Sequence, residues 1–480
     1  MAKTMEGALT SVAKTADSAS TNEGLPNGGK PDVDHSNPLA RTMLAKLDYD
    51  QLTNCMRCGF CLPACPTFRE TGLEPESPRG RIALMKAVVD GVMEPDLSFQ
   101  EQMNHCLGCR ACEPACPADV KYGQLIEQTR DAIEDHATTH RRWVRGLRSV
   151  AFKGLFPHQN RMKRLGALLK VYQKTGLNRA VRSAGIMKLF PAHLRDMERI
   201  LPEASSKGVR ELIGERHPAR GERRGKVALF RGCIMDVLFA KTNANTVRLL
   251  TEAGFEVVIP QTQNCCGALH AHSGETDQAR ELARSNVRAF LGEDVDFVVT
   301  NAGGCGAILL EYDHLLQDDE EWAEPAARFS KRVIDVSELL LRHGNPLKFE
   351  PADAEEPLPI VTYQDSCHLR NVMRSSDAPR QLIRQAAGAS FVEMKEADRC
   401  CGSAGIYNLT QPEMAGSILE KKMEHANRTD ARTILTSNPG CLLQMKAGVA
   451  KHGTSPETTE SVHIVDYLYK RLRPSPSARS

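Results

Sequence analysis

From residue 223 to the end, short apolar runs alternate with longer stretches of helical period, and the whole alternation occurs twice. Val227 to Phe230, Phe255 to Ile259 and Phe297 to Thr300 have the length and β-branched or aromatic content of strands; Ile360 to Tyr363, Phe391 to Met394 and Thr433 to Thr436 repeat them. Strands separated by helices build parallel sheets with helices on their faces, so 223–352 and 353–480 are expected to be two α/β units, the second ending in a tail. Upstream the period changes. Met162, Leu165, Leu168, Leu169 and Tyr172 recur at helical spacing, which predicts a helical linker over 136–222 with one apolar face. Within 42–135, Pro78-Arg79-Gly80-Arg81 reads as a turn and Ile82 to Val89 as the helix that follows it. Residues 1–41 scatter isolated apolar side chains among Ser, Thr, Gly, Asn and Asp, and are expected to be a disordered extension without the features of a cleaved leader.

Cysteines change this picture most. Cys55-x2-Cys58-x2-Cys61-x3-Cys65-Pro66 and Cys106-x2-Cys109-x2-Cys112-x3-Cys116-Pro117 are two copies of one run, and the run resembles that of two-cluster bacterial ferredoxins. The resemblance implies two [4Fe-4S] clusters in an α-helical domain over 42–135. It also implies crossed ligand sets: Cys55, Cys58 and Cys61 with Cys116, and Cys106, Cys109 and Cys112 with Cys65. Disulfides are the poorer reading for a chain expected in reducing cytoplasm, and zinc sites usually space their cysteines as separated pairs. Arg79 and Arg81, between the runs, are candidates to balance cluster charge or meet a partner, with solvated side chains as the alternative.

The duplicated units carry their own cysteines. Cys233, Cys265-Cys266-Gly267 and Cys305 in the first correspond to Cys367, Cys400-Cys401-Gly402 and Cys441 in the second, with separations of 32 against 33 and 39 against 40 residues. Cys233, Cys305, Cys367 and Cys441 each follow an expected strand, where ligands of parallel sheets bind, and Gly267 and Gly402 would let backbone approach a bulky centre. Adjacent cysteines suit a cluster better than a single ion. A further iron-sulfur cluster in each unit, a zinc site and plain buried thiols all stay open, with His270, His272 and His368 near enough in sequence to tune or replace a ligand.

The 480 residues suggest about three domains; the net charge of +2 and 41% hydrophobic content, without a run of eighteen apolar residues, point to a protein that does not span a membrane. The charge is uneven. Residues 141–195 hold fourteen Lys or Arg and no acid, which suits an anionic surface such as lipid headgroups or an acidic partner, while nucleic acid is disfavoured because no recognition motif accompanies the bases. Gly24 to Lys30 approaches a phosphate loop, but Pro31 stands where Ser or Thr must be, so a linker is the better reading.

Ferredoxin runs followed by duplicated Cys-Cys-Gly units resemble the iron-sulfur subunit of bacterial glycolate oxidase over about residues 45–475. Pro78-Arg79-Gly80-Arg81-Ile82, Gly232-Cys233-Ile234-Met235-Asp236 and Cys401-Gly402-Ser403-Ala404-Gly405 with Tyr407 strengthen the likeness. The resemblance implies that FAD on partner subunits oxidises glycolate to glyoxylate. This chain would have no catalytic residue of its own; it would pass the electrons to a quinone or another acceptor from the cytoplasm or the inner face of the membrane. No G-x-G-x-x-G follows a strand, in keeping with a flavin held elsewhere. Similar chains serve glycerol-3-phosphate and lactate dehydrogenase complexes. Heterodisulfide reductase, also related, uses a further cysteine where this chain has Ala302 and Asn438, so disulfide reduction by that route is not expected.

Overall fold

The computed structural model describes residues 30, 31, 33, 35–136, 142–350 and 358–473. Most of the expected extension, and all but Lys30 of the near phosphate loop, lie outside them. So do the side chains of Arg141, Arg142 and Arg145 in the basic segment.

Six helices form the first domain: Pro38–Lys46, Tyr49–Thr53, Pro66–Thr71, Pro78–Val89, Leu97–Asn104 and Tyr122–Asp135. Met43, Leu47, Met85, Val88, Met103, Leu125 and Ile126 fill its core. The expected turn before Ile82 is itself helical. Ser77 caps the helix by accepting from the Gly80 amide at 3.0 Å and Pro78 takes its first position, where a missing N–H costs nothing. Gly80 is required, since a Cβ there would lie 2.0 Å from the Glu74 carbonyl oxygen.

In the linker, helix Gln159–Lys174 packs on the first α/β unit, Leu177–Ser183 follows it, and Ala192–Ile200 lies against helix Pro439–His452 of the second unit, where Asp196 pairs with Lys451 at 2.7 Å. The expected apolar face is divided. Met162 is buried, while Leu165 and Leu168 are 45% and 68% exposed. Gly166 explains the rotation: a Cβ on it would sit 2.6 Å from Val237 Cγ1, so the glycine side of the helix faces the domain and turns Leu165 and Leu168 outward. Among the described residues no helix is long and apolar enough to cross a membrane.

The two units are α/β. The first sheet has the order β1-β3-β2-β4-β5, from β1 (Arg216–His217), β2 (Gly225–Leu229), β3 (Phe255–Val258), β4 (Phe297–Thr300) and β5 (Val333–Asp335), parallel except for β1. The second is parallel, in the order β6 (Val361–Gln364), β7 (Thr433–Thr436), β8 (Glu460–His463). Phe391 to Met394 is not a strand. Phe391 makes one parallel bridge to Val361, and the chain then enters the turn that leads to Cys400, so the apolar run has no partner to extend along. One apolar core, with Val227, Val257, Tyr363, Leu435 and Ile464, joins both sheets. Across that junction Gly303 lets helix Gly303–Leu310 approach the second unit: a Cβ there would be 2.5 Å from Ser366 Oγ.

Candidate functional site

The ferredoxin-type cysteines ring two adjoining cavities in the first domain, and each cavity draws from both runs. Cys55, Cys58, Cys61 and Cys116 line one. Cys65, Cys106, Cys109 and Cys112 line the other, with Cys112, Pro78 and Tyr122 on the wall common to both. The crossing has a local cause. After the first three cysteines the loop turns back, Cys65 N–H donating to Leu62 O at 3.1 Å and Cys116 N–H to Glu113 O at 3.0 Å. In the first run Pro66 then opens a helix with Cys65 as its N-cap residue, which carries the Cys65 sulfur to the neighbouring cavity, whereas Pro117 opens only a turn after Cys116.

Donors surround the sulfurs. The Gly108 amide and the Tyr122 hydroxyl donate to Cys106 Sγ at 3.3 and 3.5 Å, and Thr67 Oγ1 lies 3.3 Å from Cys65 Sγ. Burial pushes the Cys109 and Cys112 thiols well up from their ordinary range, so thiolates there would need a bound metal cation to be tolerated. Arg81 is not solvated, whereas Arg79 keeps part of its side chain in water. Arg79 lines the first cavity and pairs with Glu74 at 2.6 Å. Arg81 has no exposed surface, lines the second cavity, and is paired with Glu76 at 2.6 Å, which also meets His105 Nδ1 at 2.9 Å. The roles of Glu76, Thr67, Tyr122 and His105 had no signal in the sequence, being ordinary residues without motif spacing.

Each α/β unit brings its four cysteines together. Cys233 Sγ lies 3.4 Å from Cys265 Sγ, and Cys265, Cys266 and Cys305 continue the chain of thiol contacts. In the second unit Cys367, Cys400, Cys401 and Cys441 repeat it. Cys305 and Cys441 occupy the first turns of helices Gly303–Leu310 and Pro439–His452. Gly267 and Gly402 have φ of +85° and +88°, and a Cβ on Gly402 would come 2.7 Å from Ala415 O. None of the sixteen cysteines is in a disulfide. Asn438 donates to Cys441 Sγ at 3.6 Å, so a hydrogen bond stands where a further cysteine was considered.

The three histidines bond elsewhere than to these thiols. His270 Nε2 donates to Phe152 O at 2.9 Å; His272 meets Glu127 at 2.7 Å and stacks on His368, which donates to Gly108 O at 3.1 Å. They join domains. The second quartet is also built against the second ferredoxin-type cavity: Cys109, Leu107, Cys367, Cys400 and Tyr407 share one apolar cluster, and Asn371 donates to Cys109 O at 2.9 Å.

Two adjoining cysteine-lined cavities beside a duplicated four-cysteine α/β unit define an iron-sulfur protein. Comparison with known sequences agrees: residues 51–120 match the family described as 4Fe-4S dicluster domain, 227–309 and 361–446 the cysteine-rich domain, and 143–201 the linker region of the glycolate oxidase iron-sulfur subunit. A probable glycolate oxidase iron-sulfur subunit of Bacillus subtilis is 51% identical over 425 residues, 88% of this chain and 94% of its own length. The glycolate oxidase iron-sulfur subunit of Escherichia coli is 30% identical over 394 residues, 81% of this chain and 88% of its own. Lactate utilization protein A of Geobacillus thermodenitrificans is 30% identical over 246 residues, 51% of this chain and 99% of its own. The chain belongs to the glycolate oxidase iron-sulfur subunit family.

Proposed function

We propose that this chain is the electron-transfer subunit of a glycolate-oxidising complex, taking electrons from FAD on partner subunits and delivering them to a quinone or a similar acceptor. The observation that carries the reading is the crossed arrangement of eight cysteines around two adjoining cavities, with the second quartet packed against Cys109. The donor sets fit [4Fe-4S] clusters: Cys55, Cys58, Cys61 and Cys116 would hold one, and Cys106, Cys109, Cys112 and Cys65 the other. Four thiols per α/β unit likewise fit one further cluster each. Bound there, the clusters supply one-electron carriers with potentials anywhere from roughly −700 to +450 mV, which divides a flavin's electron pair into single steps.

The chain's own residues do the rest. Ile82, Val120 and Tyr122 wall the first cavity, Arg81 sets a fixed positive charge beside the second, and the Gly108 and Tyr122 donors hold Cys106. The basic linker is the proposed contact with the inner face of the membrane. Its exposed apolar residues, Leu165, Leu168, Val171, Leu177, Leu189 and Phe190, stand among the lysines and arginines of 141–195, the composition of a surface that lies in an anionic interface.

The test is an anaerobic preparation of the complex with Cys58→Ser or Cys109→Ser. Glycolate should still bleach the flavin while electron output to the acceptor is lost, and the reduced wild-type chain should give the EPR signal of two interacting [4Fe-4S] centres. Zinc in place of iron in residues 42–135 would overturn the proposal.

A further inference from the structure

The two Cys-Cys-Gly units are near copies, and the residues that touch each quartet can therefore be compared position by position. Helix Thr276–Leu291 of the first unit and helix Pro412–Asn427 of the second have the same length and the same place beside the adjacent cysteines. Gly267 lies against Ala279 as Gly402 lies against Ala415. Seven residues further along each helix, the repeat places Asn286 in the first unit and Lys422 in the second.

Both side chains are buried, to 0% and 2% exposure, but their chemistry differs. Asn286 is neutral: its Nδ2 donates to Cys265 O at 2.8 Å and to the Tyr312 hydroxyl at 3.0 Å, and its Oδ1 accepts from the Asn264 amide at 2.8 Å. Lys422 donates its ammonium to two carbonyl oxygens just ahead of the Cys-Cys pair, Glu396 O at 2.5 Å and Ala397 O at 3.4 Å. No carboxylate forms an ion pair with it among the described residues. Asp365, the nearby buried acid, is engaged by Arg370 at 3.1 Å and Arg380 at 2.8 Å. Lys422 shares the wall of one cavity with Cys400. Among the described residues the first unit has no counterpart to this charge at its thiols: Arg231, two residues before Cys233, turns to Asp236, the Gln261 and Gln263 carbonyls and the cleft beside Arg210 and Glu211.

An ammonium held in a low-dielectric wall and not neutralised by a carboxylate favours whatever negative charge its neighbour can gain. We infer that Lys422 is a potential-setting residue: it makes the centre held by Cys367, Cys400, Cys401 and Cys441 the more readily reduced of the two, so that electrons from the adjoining ferredoxin-type centre collect in the second unit. This rests on the reading that both quartets hold iron-sulfur clusters.

The experiment is an EPR-monitored redox titration of the anaerobically purified chain, with iron and sulfide counted for each variant. Lys422→Met should keep full iron content and shift one centre to a lower midpoint potential, leaving the others in place; Lys422→Arg should restore it. Asn286→Lys should shift a different centre upward. Unchanged midpoints in a fully loaded Lys422→Met protein would overturn the assignment of the charge. A wild-type chain with only the two ferredoxin-type centres would instead overturn the cluster reading of the quartets, and the inference with it.

Discussion

Arg81 sits in the interior as a full charge and is held there by Glu76 at 2.6 Å, the Glu76 carbonyl at 2.6 Å and the Gln102 carbonyl at 2.8 Å. Removing one partner of a buried pair leaves the other charge uncompensated, so Arg81→Met should cost about 3–5 kcal/mol of stability, read by urea unfolding of the anaerobic protein. Asp335 offers a pH test. It caps helix Val336–Arg342 through the Ser337 amide at 2.8 Å, but its Oδ2 is buried without a partner. Burial lifts its carboxyl to about 7 from an ordinary 3.8. The folded protein thus binds this proton more tightly than the unfolded chain. Its contribution to stability is complete below about 4 and is lost as pH rises through about 7, at no more than about 1.4 kcal/mol per pH unit. Asp335→Asn should flatten that slope in urea midpoints measured from pH 5 to 8. Cysteines are legible in a sequence because a cluster needs them at fixed short spacing. Glu76, Asp335 and Lys422 are not, because their roles come from neighbours distant in the chain.

The helix Gln159–Lys174 shows what a local pattern leaves open. Its apolar positions are readable from period alone, yet which of them face the protein depends on Gly166 meeting Val237. The outward Leu165 and Leu168, with Arg161 and Arg164 on the same helix, should dock on anionic vesicles. Each basic residue near such a surface is worth roughly 1 kcal/mol, so Arg161→Gln with Arg164→Gln should weaken vesicle binding roughly tenfold or more in a flotation assay, and added salt should weaken it further. Leu165→Ser with Leu168→Ser should weaken it without changing the salt dependence. Phe391 to Met394 teaches the same lesson for strands: a β-rich run becomes a strand only where a neighbouring edge continues beside it, and here the pairing stops after Val361.

Arg110 ties the molecule together. It pairs with Glu113 at 2.9 Å within the first domain and with Glu311 of the first α/β unit, while His368 and Asn371 of the second unit bond to the backbone of Gly108 and Cys109. The second ferredoxin-type loop is thereby clamped from both units. Arg110→Met should loosen that clamp, with faster amide hydrogen exchange over 106–116 and 365–373 and weaker magnetic coupling between the centres, while exchange in the sheet core over 225–229 stays as it was.

The amino-acid order alone fixed the cysteine runs, the duplication and the alternation of strands with helices, because each of these is a matter of short-range spacing or repeated period. The meeting of Cys109 with Cys367, the fully buried ion pair at Arg81 and the unequal charge beside the two quartets came only from folding, because burial and Coulomb interaction depend on which distant segments are packed side by side.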